Sequence, residues 1–192
     1  MQFYVGVERT ICDEIRAWSA HALELPNAFF GGLPPCPYAR KAWADDRVLI
    51  IFKHEPSYQS LYRVISTFED RYDLVILVET RYDPDPDRFH DYLDELNKAI
   101  SDGFFIDRDI WLMGFHPEDE PNEFIDDGTF NPEIGTPYAM TFVQRLSKVQ
   151  ESADKLSEKG YYEAYLAEYD AADIFRRREN LYRRLRNGNE PS

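Results

Sequence analysis

Val48-Leu49-Ile50-Ile51-Phe52 and Leu74-Val75-Ile76-Leu77-Val78 are uninterrupted apolar runs dominated by β-branched and aliphatic residues. A strand that is apolar at every position is one covered on both faces, so these runs predict buried strands rather than half-solvated hairpins. Ile110-Trp111-Leu112-Met113-Gly114-Phe115 is a weaker third run. Between the three, Ser57 to Tyr72 and Asp87 to Ile100 have helix length and periodic apolar positions, with Ser57 and Asp87 as caps and Asp94 and Glu95 on a solvated face. The order strand, helix, strand, helix, strand, closed by right-handed crossovers, predicts an α/β fold. Its centre is a small, largely parallel three- or four-stranded sheet flanked by helices.

Outward from that unit, Val7 to Leu23 reads as an amphipathic helix through Val7, Ile11, Ile15 and Trp18, with Cys12 as a packing residue inside the pattern. Pro26 to Pro35 follows as a turn-rich connection carrying Phe29-Phe30-Gly31-Gly32. Residues 1–150 are expected to form the α/β core, and residues 151–192 a helical extension packed on it. In that extension Tyr161, Tyr165 and Tyr169 recur every four residues, and the charge turns from acidic to basic at Arg176-Arg177-Arg178 and Arg183-Arg184-Leu185-Arg186. Acid first and base last complements a helix macrodipole, so the segment reads as a long helix.

The 192 residues are 43% hydrophobic and 15% aromatic, which excludes wholesale disorder. A formal charge of −14 repels phosphates and anionic membranes, so neither nucleic acid nor a membrane surface is an expected partner. The first residues lack a basic start and an apolar signal core, and no apolar run reaches membrane-spanning length. A cytoplasmic protein with two reduced thiols, Cys12 and Cys36, is the expectation.

Candidate chemistry centres on Leu33-Pro34-Pro35-Cys36-Pro37-Tyr38-Ala39-Arg40. Pro37 suits the first position of a helix, which would set Cys36 at the cap, where free N–H groups favour a thiolate. The strands run out toward Lys53-His54-Glu55, Glu79-Thr80-Arg81 and His116-Pro117-Glu118, and ligands of open α/β sheets bind beyond such carboxyl ends. His116, leaving an apolar strand for a polar loop, is the best partner for Cys36 as acid, base or ligand; a loop-capping histidine is the plainer alternative. Cys36, His54, His116 and Glu79 are acceptable metal ligands, but without CxxC or HExxH spacing no metal ligand is assigned. Asp83-Pro84-Asp85-Pro86-Asp87 has Arg88 where a calcium loop needs glycine, and reads as a charged helix start. The acidic stretch Glu118 to Gly128 reads as a solvated loop. Ala39 stands where a glutaredoxin-like motif needs its second cysteine, so dithiol exchange is excluded. No glycine-rich phosphate loop and no GxSxG elbow is present, and no cofactor is assigned.

Cys36-Pro37-Tyr38-Ala39, Glu79-Thr80, Phe115-His116-Pro117, Pro137-Tyr138-Ala139-Met140 and Arg145, in this order, resemble the bacterial family called domain of unknown function 1415 over roughly residues 33–150. The resemblance implies a compact cytoplasmic α/β protein, carries no established reaction, and links Cys36 to His116 and the Tyr138 segment. The chain departs from the family pattern at Ile134-Gly135-Thr136, at Ala139 in place of a proline, and at Phe142 where a following helix usually carries histidine. Two functions are therefore expected. One is an enzyme acting on a small molecule, with Cys36 and His116 catalytic and Arg40, Glu79, Tyr138 and Arg145 binding substrate. The other is a noncatalytic protein-binding module that presents an acidic surface and the Tyr/Arg-rich residues 160–192 to a protein partner.

Overall fold

The computed structural model describes residues 2–55, 57–105, 108–119, 138–168 and 172–188. Much of the acidic stretch, together with Ile134 to Pro137, Tyr169 and the last four residues, lies outside them. The chain opens with α1 (Gln2–Trp18), whose final turn widens into a π-helical turn at Ser19–Leu23, and passes a 3-10 turn at Ala28–Phe30 to α2 (Ala39–Ala44). It continues through β1 (Val48–Lys53), α3 (Gln59–Ser66), β2 (Leu74–Glu79), α4 (Pro86–Ser101) and β3 (Ile110–Phe115). The last elements are β4 (Ala139–Arg145), α5 (Leu146–Ser157), α6 (Glu163–Glu168) and α7 (Ala172–Gly188).

The three apolar runs are strands, as their patterning requires. A fourth, β4, is Ala139-Met140-Thr141-Phe142-Val143-Gln144-Arg145, so Phe142 lies in mid-strand rather than on a helix. The four-stranded sheet has the order β1-β2-β4-β3. β1 and β2 pair in parallel, but β4 inserts between β2 and β3 and pairs antiparallel with both. The sheet is therefore mixed rather than largely parallel. β1, β2 and β3 still point the same way, so Lys53, Glu79 and Phe115 end at one rim, with Ala139 and Met140 of β4 opposite Glu79 and Phe115.

Successive strand residues project to opposite faces, and the core divides accordingly. Val75, Leu77, Leu112 and Val143 join α3, α4, α5 and Leu181 of α7 on one face. Ile76, Val78, Met140 and Phe142 join Ile11, Ile15 and Trp18 of α1 on the other. α4 starts one residue before the cap read from the sequence. Asp85 caps it, accepting from Asp87 N–H (3.1 Å) and Arg88 N–H (3.5 Å), with Pro86 in the first turn, where its missing N–H costs nothing. The C-terminal segment is helical, as α6 and α7 among the described residues. Tyr161 precedes α6 and is buried with Phe30 and Leu156, so the tyrosine repeat does not mark one helical face.

Candidate functional site

Cys36 sits at the return of a compact loop. Asn27 turns the chain by accepting from Phe29 N–H (2.8 Å), and Gly31 and Gly32 take φ of 64° and 81°, values open to glycine without strain. Leu33 C=O closes the loop on Asn27 N–H (3.1 Å), and Cys36 N–H then donates to Leu23 C=O at the end of the π-helical turn (2.9 Å). Helix α2 begins only at Ala39, with Tyr38 as its cap, because Cys36 C=O first closes a tight turn with Ala39 N–H (3.1 Å). The thiol is thus half-buried before the helix, packed against the α1 cluster, and not at the cap expected from Pro37.

Burial pushes the Cys36 thiol up, and the Glu24 carboxylate pushes the same way; N–H groups of Tyr38 and Ala39 bond the sulfur and offset only part of this. At neutral pH the group is a thiol and not the nucleophilic thiolate. Iodoacetamide labelling at pH 7 should therefore modify Cys36 at least about tenfold more slowly than a free cysteine, accelerating only above the ordinary thiol range near pH 8.5. Peptide mapping separates it from Cys12, whose thiol is also raised, by burial and then by Asp13 and Glu8. Fast labelling of Cys36 at neutral pH would restore the nucleophile.

Next to the thiol, a buried carboxylate is fully engaged. Glu24 accepts from Arg16 (2.5 and 3.2 Å) and from Ser19 Oγ–H (3.0 Å), while Trp43 Nε1–H donates to Ser19 Oγ (2.9 Å). Arg40 donates to Glu24 C=O (3.2 Å) and lies 3.8 Å from its carboxylate. Tyr138 packs in the same cluster as Cys36, with its hydroxyl bonded to Glu14; burial and that carboxylate push the phenol up to about 12.

The structure does not bring the other expected residues here. His116 is fully buried on the opposite face, between Tyr82 and Phe89. Its Nε2–H donates to Asp83 C=O (2.9 Å), and Nδ1 accepts from Glu118 N–H (3.2 Å), so both ring nitrogens are occupied in holding the loop. Asp119 braces the turn, accepting from His116 N–H (2.8 Å) and contacting His90 Nε2 (2.7 Å). Glu79 pairs with Lys53 at the strand rim (2.9 Å), and His54 contacts Thr80 (3.2 Å) and Glu8 (3.3 Å). Arg145 lies at the junction of β4 and α5, not on a helix surface, bonded to Phe68 C=O (3.3 Å) and Asp70 (3.0 Å) with its guanidinium over the Phe68 ring. Among the described residues no three His, Cys, Asp or Glu side chains group as a metal site.

A cleft of about 240 Å³ opens instead among α5, α6 and α7, lined by Gln150, Asp154, Ser157, Tyr162, Leu166, Phe175 and Glu179 with Ala153. Tyr161, just before α6, ties this region to the Cys36 loop by donating to Pro35 C=O (2.5 Å) and Pro34 C=O (3.1 Å). Arg178 is buried behind these lining residues: its Nε–H donates to Gln150 Oε1 (3.0 Å), its guanidinium stacks over Phe175, and the Tyr162 hydroxyl bonds the same guanidinium. Gln150 in turn donates to Asp154 (2.7 Å). The sequence signal for this cleft was a glutamine at an apolar position of α5 facing one particular arginine of a basic run.

Comparison of the chain with protein families, curated proteins and solved structures finds no match.

Proposed function

We propose that the chain works as a noncatalytic binding protein of the cytoplasm, taking a basic, apolar-flanked segment of a protein partner into the cleft among α5, α6 and α7. The observation that supports this reading is the separation of Cys36 from His116 across the sheet, set against a mixed apolar and acidic cleft elsewhere. Leu166 and Phe175 offer apolar contact, and Asp154 offers a carboxylate in a field of net charge −14, while Glu179 beside it is paired with Arg183 (2.5 Å). Leu166 is itself exposed, so the apolar side of the cleft is open to a partner.

Deleting residues 160–192 cannot test this, because Leu181 and Tyr161 belong to the core. The clean test fills the cleft without changing charge. A fluorescein-labelled peptide of leucine and lysine should bind the wild-type chain, and Ser157→Trp, folded by circular dichroism, should weaken it by about tenfold or more in fluorescence anisotropy. Equal binding by both proteins would reduce the interaction to bulk charge and sink the cleft reading. No helix among the described residues is long and apolar enough to cross a membrane.

A further inference from the structure

We propose that the outer edge of β1 is a self-association surface, at which a second copy of this chain adds its own β1 antiparallel and extends the sheet across a two-fold axis. β1 is an edge strand, paired with β2 alone. Arg47 C=O accepts from Asp73 N–H (2.9 Å) and Leu74 N–H (3.3 Å), and Lys53 C=O accepts from Thr80 N–H (3.1 Å), all on the β2 side. Backbone groups alternate in direction along a strand, so Leu49 and Ile51 face β2 as well. Val48, Ile50 and Phe52 therefore aim N–H and C=O away from the sheet, and no described residue bonds to them.

The opposite edge shows how this fold closes an edge that it does not use. There Asn97 of α4 donates from Nδ2 to Leu112 C=O (2.9 Å) and accepts from Leu112 N–H (3.1 Å), covering β3 with a side-chain amide that imitates a strand. β1 has no such cover among the described residues. It also lacks the usual deterrents to pairing: Val48 to Phe52 holds no proline and no charge, and Lys53, at the last position, is neutralised by Glu79 (2.9 Å). All five apolar side chains from Val48 to Phe52 pack on the two core clusters or stay partly exposed beside them, as at a sheet cut short.

The segment is complementary to itself, which selects a second copy as the occupant. An antiparallel pairing centred on Ile51 sets Ile50 opposite Phe52, so their outward groups exchange hydrogen bonds, and it sets Arg47 opposite Glu55. Arg47 keeps its fork to Asp73 (2.7 Å), a carboxylate shared with Lys148, so Glu55 meets a cationic cluster there; centred on Ile50, the same pairing would set that cluster against Lys53, whose charge Glu79 offsets, and would gain no opposite charge. A two-fold axis repeats each contact, as closed dimers require. Each copy carries −14, so long-range repulsion opposes the short-range pairing and salt should tighten the dimer by screening it.

Sedimentation velocity over a concentration series should show a species of twice the 22.6 kDa chain mass, favoured by added salt. Ile50→Pro removes an N–H that the monomer does not use, and should raise the dimer dissociation constant about a hundredfold through the two bonds lost by symmetry. In the wild-type chain, amide exchange at Ile50 and Phe52 should slow as concentration rises while Leu49 and Ile51 stay protected throughout. Should Ile50→Pro fail to fold, that exchange series decides alone. A monomer at every concentration, a dimer indifferent to a folded Ile50→Pro, or outer amides equally protected at every dilution would each overturn the proposal.

Discussion

Replacing His116 with alanine should lower the melting temperature by about 10 °C, while the alkylation rate of Cys36 in the folded protein stays unchanged. The imidazole is fully buried between Tyr82 and Phe89, and it holds two backbone groups, Asp83 C=O and Glu118 N–H. Alanine leaves a cavity the size of a ring and strips both groups of their partner, a loss of about 3 kcal/mol at a site that relaxes only partly. In a chain of 192 residues each kcal/mol is about 2–4 °C, which gives the expected shift. His116→Gln should recover part of the loss, because a side-chain amide can still donate toward Asp83 C=O. Differential scanning calorimetry reads the stability, and labelling with mass mapping reads the thiol. The opposite pattern, a melting temperature held and Cys36 reactivity changed, would mean that thiol and imidazole communicate after all, and would revive the enzyme reading over the binding one.

That a pairing of Cys36 with His116 could be expected and then not found has a specific physical cause. Phe115 and His116 are adjacent, and adjacent residues leaving a strand project to opposite faces. Phe115 packs toward α1 with Trp18, whereas His116 packs toward α4 with Phe89. Strand boundaries are legible in continuous apolar runs; which face a residue takes depends on where neighbouring helices lie, and that is a long-range property. The same limit explains β4. Its Met140 and Phe142 alternate with Thr141 and Val143 because it is covered on both sides, yet nothing local tells a strand that inserts between two others from one that joins the sheet's edge. The misplaced start of α2 is a local error instead. Pro37 is a sound first-turn signal, but Cys36 C=O closes a turn with Ala39 N–H before regular helix begins. The cleft was hidden for a third reason: Gln150 and Arg178 lie 28 positions apart, and only the packing of α7 on α5 joins them.

Asn97 is where a single atom exchange should cost the most. Asn97→Asp is expected to destabilise the fold by about 4 kcal/mol at neutral pH, a large part of the total for a domain whose net stability is about 5–15 kcal/mol. The side chain is 8% exposed and serves Leu112 twice, donating to its carbonyl and accepting from its amide. An ionised carboxylate keeps the second bond but turns an oxygen on the Leu112 carbonyl, so a charge is buried against a like dipole. Burial raises the folded-state pKa of the introduced acid above its unfolded value near 3.9, so the neutral form is favoured in the folded protein. The unfolded chain then releases its proton first as pH rises, and the penalty grows through that window and eases as pH falls below it. Asn97→Leu separates the two effects: it orphans both Leu112 groups without adding charge, and should cost about 2–3 kcal/mol with no dependence on pH. Urea unfolding at pH 7 and again near pH 4 measures both variants. A loss below about 1 kcal/mol for Asn97→Leu would show that water reaches this edge of β3, and the contrast drawn between a sealed β3 and an open β1 would fall with it.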